Sequence, residues 1–151
     1  MMERKLTKKI QVGNIYIGGG APISVQSMTN TPAEDFDATV NQMLSLQKAG
    51  CDIIRAAAPN EAATEVFTRA KKAGVTIPMV ADIHFDYKIA LAALRAGADK
   101  IRINPGNIGE AWKVEEVAKA CKSAGVPIRI GVNGGSLEKG LLQKYGGPTA
   151  E

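Results

Sequence analysis

Cysteine, histidine and aromatic residues are scarce in this 151-residue chain, and each scarcity excludes something. Cys51 and Cys121 lie far apart with no Cys-x-x-Cys spacing, so they form no metal motif and read as small buried apolar residues. No metal site is assigned. No apolar run approaches the ~18 residues that would cross a bilayer, so no membrane partner is expected. The basic start MMERKLTKK is not followed by the apolar stretch of a signal peptide, and the expected location is the cytoplasm. Net charge is +4, but no dense Lys/Arg block or aromatic ladder accompanies it. Nucleic acid is therefore not the expected partner, and a small acidic ligand fits the charge. What is present is ordinary for a globular domain: 45% apolar and 23% charged residues, in a chain long enough for one real core.

The dipeptide Ala-Gly recurs at 49–50, 73–74, 96–97 and 124–125. Each copy ends a helix-like stretch and precedes a short apolar run, and glycine after a helix is the usual left-handed cap. The runs are Asp52–Arg55, Ile77–Asp82, Lys100–Ile103 and Pro127–Val132. Strand, helix, glycine, strand is the pattern of βα units in a parallel sheet. Thr31-Pro32-Ala33-Glu34 reads as a capping box opening a helix with Phe36, Val40, Met43 and Leu44 on one face. Asn60 and Asp86 are positioned to cap the next two, and Gly109 to open one carrying Trp112, Val117 and Cys121. Ahead of these, Ile10–Ile17 reads as a hairpin with a Gly-Asn turn, and Pro22–Met28 as a first core strand.

These elements give about five parallel βα units preceded by an N-terminal β-hairpin, an α/β protein. We divide it into residues 1–20, with the hairpin, and residues 21–151, a partial barrel that binds substrate. A complete (β/α)8 barrel needs roughly 250 residues. An open doubly wound sheet is the alternative, but it would carry a Gly-rich turn after its first strand, where Met28-Thr29-Asn30-Thr31 stands. A partial TIM barrel is the favoured reading.

Side chains alternate across a strand, so Arg102 and Asn104 share a face, as do Arg129, Gly131 and Asn133, and Asp82 and His84. The isoleucines between them can pack under outer helices. Arg55, Arg102 and Arg129 then point inward near strand C-termini, where barrel active sites lie. Buried unpaired charge is costly, and Asp82 alone does not balance three guanidiniums. Guanidinium forks suit phosphate oxygens, and Asn104, Asn133 and the turns after them add neutral donors. The pattern points to a di- or polyanionic ligand, most simply a diphosphate. Lys88 and Lys100 are expected in solvent.

The runs Val25–Thr31, Val80–Tyr87, Ile101–Gly109 and Ile128–Asn133 resemble, in order and spacing, the N-terminal part of bacterial 4-hydroxy-3-methylbut-2-enyl diphosphate synthase, the IspG or GcpE family. The resemblance covers nearly the whole chain. It implies a TIM barrel followed by a smaller domain with a [4Fe-4S] cluster. The implied reaction belongs to the non-mevalonate isoprenoid pathway. It converts 2-C-methyl-D-erythritol 2,4-cyclodiphosphate reductively to (E)-4-hydroxy-3-methylbut-2-enyl diphosphate. It implies diphosphate binding by Arg55, Arg102 and Arg129, and substrate contacts by Asp82, Asn104 and Asn133. Gln26, Ser27, Met28 and Thr29 line the same mouth, and His84 is the candidate catalytic residue. It further implies flavodoxin or ferredoxin as electron donor, and a homodimer. The cluster's ligands, three cysteines and a glutamate of the C-terminal domain, and the last barrel strands fall outside these 151 residues, and Cys51 and Cys121 do not match them. The expectation is that this chain alone lacks reductase activity. A dihydropteroate-synthase-like barrel and a noncatalytic half-barrel for a phosphorylated metabolite are the alternatives.

Overall fold

A computed structural model describes residues 5–137 and 139–149. The hairpin forms as the Gly-Asn signal predicts: β1 (Ile10–Val12) pairs antiparallel with β2 (Ile15–Ile17), turning through Gly13 at φ +54°. Five further strands form one parallel sheet: β3 (Gln26–Met28), β4 (Ile53–Ala57), β5 (Met79–Ile83), β6 (Lys100–Ile103) and β7 (Ile128–Ile130). Their spatial order is strictly sequential, β3-β4-β5-β6-β7. A doubly wound sheet reverses direction at a switch point, so the unbroken order belongs to an arc of a barrel.

Helices α1 (Phe36–Lys48), α2 (Glu65–Lys72), α3 (Tyr87–Arg95) and α5 (Ala111–Ala124) cover the outer face, with the short α4 (Pro105–Ile108) after β6 and α6 (Lys139–Tyr145) after β7. The Ala-Gly repeat is one device used four times. Gly50, Gly74, Gly97 and Gly125 sit at φ +91°, +100°, +92° and +67°. The residue after each donates its N–H to a carbonyl five back, as Cys51 does to Leu46 and Ala98 to Ala93. That 6→1 bond closes the helix and turns the chain toward the next strand.

The core lies between helices and sheet. Ile54, Ala56, Met79, Ala81, Ile83, Ile101 and Ile103 on the convex face meet Met43, Phe67, Ala90, Ala93, Val117 and Cys121. The hairpin sits at the other end of the strands from the arginines: a Cβ at Gly13 would lie 2.9 Å from Pro78 Cγ, just ahead of β5.

Several boundaries differ from the sequence reading. Thr31 does not cap α1. Pro32–Glu34 make a turn, and Asp35 becomes the cap, its carboxylate accepting from Ala38 N at 3.0 Å. The Thr31 hydroxyl instead meets Thr39 Oγ1 at 2.6 Å. The first and last strands are shorter than expected, because among the described residues each has a neighbour on one side only and each predicted run begins with a proline that cannot donate. Asn60 caps a 3-10 turn (Ala62–Thr64) that leads into α2, and Asp86 caps α3 through Lys88 N. The turn expected at Pro105-Gly106-Asn107 is helical, as α4.

Candidate anion-binding site at the strand ends

The strand register assembles the site. Met28 pairs with Arg55, Ala57 with Asp82, Asp82 with Arg102, and Arg102 with Arg129. Paired residues share a face, so four adjacent strands bring Arg55, Asp82, Arg102 and Arg129 onto the concave side near their C-terminal ends.

Asp82 is almost fully buried and takes both neighbouring arginines. Arg55 donates to Oδ2 through Nε at 3.0 Å and Nη2 at 2.6 Å, and Arg102 donates to Oδ1 through Nη1 at 3.0 Å. A carboxylate clamped between two guanidiniums is well compensated. The pair is not: one cationic charge remains over, and Arg129, exposed, has no carboxylate within ion-pair distance among the described residues. Among the described residues, two guanidinium charges therefore face the concave side without a protein anion. His84 Nε2 stands 3.9 Å from Asp82 Oδ2, too far to hydrogen-bond, and is half-exposed.

Lys100, expected in solvent, is partly buried on the same face as Arg102. Burial lowers its ammonium pKa, and repulsion by Arg129 lowers it further. Its position adds to the excess of positive charge.

The asparagines hold the loops. Asn104 is buried and caps α4, its Oδ1 accepting from Gly106 N at 3.1 Å and its Nδ2 donating to Ser136 Oγ at 2.8 Å. Ser136 Oγ also accepts from Asn133 N at 3.2 Å and donates to Asn133 O at 3.0 Å. One hydroxyl thus ties the loop after β6 to the loop after β7. Gln26 and Met28 stand on the face of Arg55, whereas strand alternation puts Ser27 on the other face. Thr29 is buried, its N–H donating to the Arg55 carbonyl at 2.9 Å. Ser136 and Gly131, which sequence reasoning placed in the turn and on the concave face, were given no role of their own. Ser136 carried a signal, as a hydroxyl three residues after an asparagine in a Gly-rich turn.

Among the described residues no group of three or more His, Cys, Asp or Glu side chains could hold a metal. Cys51 and Cys121 are both buried, and Cys51 Sγ lies 2.9 Å from the Ile53 carbonyl. They do not fit an iron-sulfur cluster, and no chemistry is routed through one here.

A family model described as the GcpE TIM-barrel domain matches residues 7–151. The chain belongs to the GcpE family. A 4-hydroxy-3-methylbut-2-en-1-yl diphosphate synthase (flavodoxin) of Symbiobacterium thermophilum is 59% identical over all 151 residues, and one of Geobacillus thermodenitrificans is 56% identical. This GcpE chain spans 40% of the length of each. Among solved structures, 7,8-dihydropteroate synthase from Vibrio fischeri superposes with TM-score 0.60 at 17% identity, over 85% of this chain and 51% of that one. That likeness concerns the barrel fold alone. No described helix is long and apolar enough to cross a membrane.

Proposed function

We propose that this chain is the substrate-holding barrel segment of a 4-hydroxy-3-methylbut-2-enyl diphosphate synthase. In this reading its strand-end arginines grip the diphosphate of 2-C-methyl-D-erythritol 2,4-cyclodiphosphate. The observation that carries the reading is the buried carboxylate of Asp82 between Arg55 and Arg102, with Arg129 beside them and without an acidic partner among the described residues. Asp82 is then an orienting group, fixing two guanidiniums before substrate arrives, so little side-chain ordering remains to oppose binding. Asn104 and Asn133 shape the loops around the ligand, and Gln26, Met28 and Thr29 belong to the neighbouring wall, with Ser27 turned to the helix-facing side. His84, half-exposed at the end of β5, is the candidate to hold or deliver a proton.

The reaction opens the cyclodiphosphate ring and removes a hydroxyl with two electrons. The relatives' names point to flavodoxin as their source. A [4Fe-4S] cluster, a homodimer and a cytoplasmic location belong to the same proposal, with the cluster's ligands outside this chain. The 151 residues alone bind and orient, and we expect no turnover from them even with iron, sulfide and reductant supplied.

The test is calorimetric titration of the cyclodiphosphate into the chain, with Arg102→Ala and Arg129→Ala alongside. Each lost charge-assisted contact weakens binding by about tenfold or more. Binding unchanged in both variants overturns the assignment of the arginines.

A further inference from the structure

The concave positions of β7 and its extension are Arg129, Gly131 and Asn133, and the middle one has no side chain. Gly131 is not there for its backbone conformation, since its φ is not positive. Its N–H continues the ladder, donating to Ile103 O at 2.9 Å. What the glycine supplies is room. A Cβ placed on residue 131 would lie 2.6 Å from Arg102 Nε, 2.6 Å from Nη2 and 3.0 Å from Cζ. Equal distances to the two nitrogens, with Cζ behind them, put that point at the mouth of the Nε/Nη2 fork, where both N–H bonds aim. A side chain there and the guanidinium in its present place exclude each other.

The same guanidinium directs Nη1 at Asp82 Oδ1, 3.0 Å away. Arg102 is therefore seated between two supports, a carboxylate on β5 and the bare α-carbon of Gly131 on β7. With its Nε side against the backbone and Nη1 on Asp82, the outer N–H of Nη2 at the terminal edge is engaged by neither support.

We infer that Gly131 is a positioning residue for Arg102, its missing side chain setting where the guanidinium stands relative to Asp82 and a bound diphosphate. The inference rests on the phosphate-binding role given to Arg102 above. Alanine at 131 pushes the guanidinium off its seat, tilts it from Asp82 and turns its terminal edge away from the ligand, while the β7 ladder stays intact.

A double-mutant cycle on the 151-residue chain tests this, with inorganic diphosphate as the probe. Gly131→Ala weakens diphosphate binding about tenfold, the scale of one charged hydrogen bond. In an Arg102→Lys background, where no fork occupies the space, the same substitution changes binding by less than about twofold. Equal losses in both backgrounds, or no loss in either, overturn the inference. Thermal melts give a second reading independent of ligand. Where Gly131→Ala melts early, Gly131→Ala/Arg102→Lys regains the midpoint of Arg102→Lys, and failure to regain it also overturns the inference. If Arg102→Ala leaves diphosphate binding untouched, the phosphate role of Arg102 falls. The melts then still decide whether Gly131 seats the guanidinium.

Discussion

Lys100 carries its charge against its surroundings. Burial is the larger cause of its lowered pKa and Arg129 the smaller, so the folded chain releases this proton below the ordinary 10.5. Below the folded pKa the lysine is charged in both states, and folding carries the full penalty. As pH rises from the folded pKa toward 10.5, the unfolded chain binds more protons than the folded one, and stability grows. Lys100→Met therefore raises the melting midpoint at pH 7, by about 1–2 °C for a partly buried group in a domain of this size. The gain shrinks as pH approaches 10.5. Melts of both proteins across pH 7 to 10.5 check it, and a gain that is flat with pH would show packing rather than charge at work. At this scale the sequence was partly legible. Period-two alternation placed Arg55, Asp82, Arg102 and Arg129 on one face, because register in a parallel sheet follows from strand pattern. It did not show that Asp82 takes both arginines and leaves Arg129 over, nor that Lys100 is partly buried and repelled by Arg129. Those depend on neighbours supplied by other strands.

At the scale of elements, the loops after β6 and β7 are held by one hydroxyl. Ser136 Oγ meets the buried Asn104 Nδ2 at 2.8 Å and both backbone groups of Asn133. Gly106 packs so closely on the Ser136 carbonyl that a Cβ has no place there. Removing the hydroxyl strands a buried amide donor, which costs about 1–3 kcal/mol. Ser136→Ala should lower the melting midpoint by roughly 3–10 °C, and hydrogen exchange should quicken at Gly106 and Asn133 while β5 keeps its protection. Unchanged exchange in both loops would show that the brace carries no load. The repeated Ala-Gly stops were legible because a glycine at positive φ is a local requirement. The start of α1 was not. Thr31 and Asp35 are both competent caps, and the turn through Pro32 settles the choice by bringing Asp35 to the first free N–H groups.

The whole molecule is an arc of a barrel with two ends. β3 and β7 each pair on one side only among the described residues, and a closed barrel has no such edges. Both ends are apolar as well as unpaired. Ile23 and Val25 lead into β3, Ile130 and Val132 close and follow β7, and all four are more than half exposed. Natural edge strands blunt themselves with lysine, bulges or extra cover, and none of these four positions carries a charge. In the relatives, the remaining length has the capacity to supply the missing strands, since this chain spans only 40% of them. Without that cover the two edges offer backbone donors and acceptors beside an apolar surface, which favours edge-to-edge association. Light scattering on the purified 151 residues should therefore give a mass above the 15.9 kDa of one chain, rising with concentration. Ile130→Lys with Val132→Lys should bring it down toward one chain without lowering the midpoint of the melt, because both side chains already face solvent. A constant 15.9 kDa for the unsubstituted chain across concentrations would mean that the edges are protected within the monomer. Association that survives the lysine pair would place the contact at β3 instead, where Val25→Lys is the variant that breaks it.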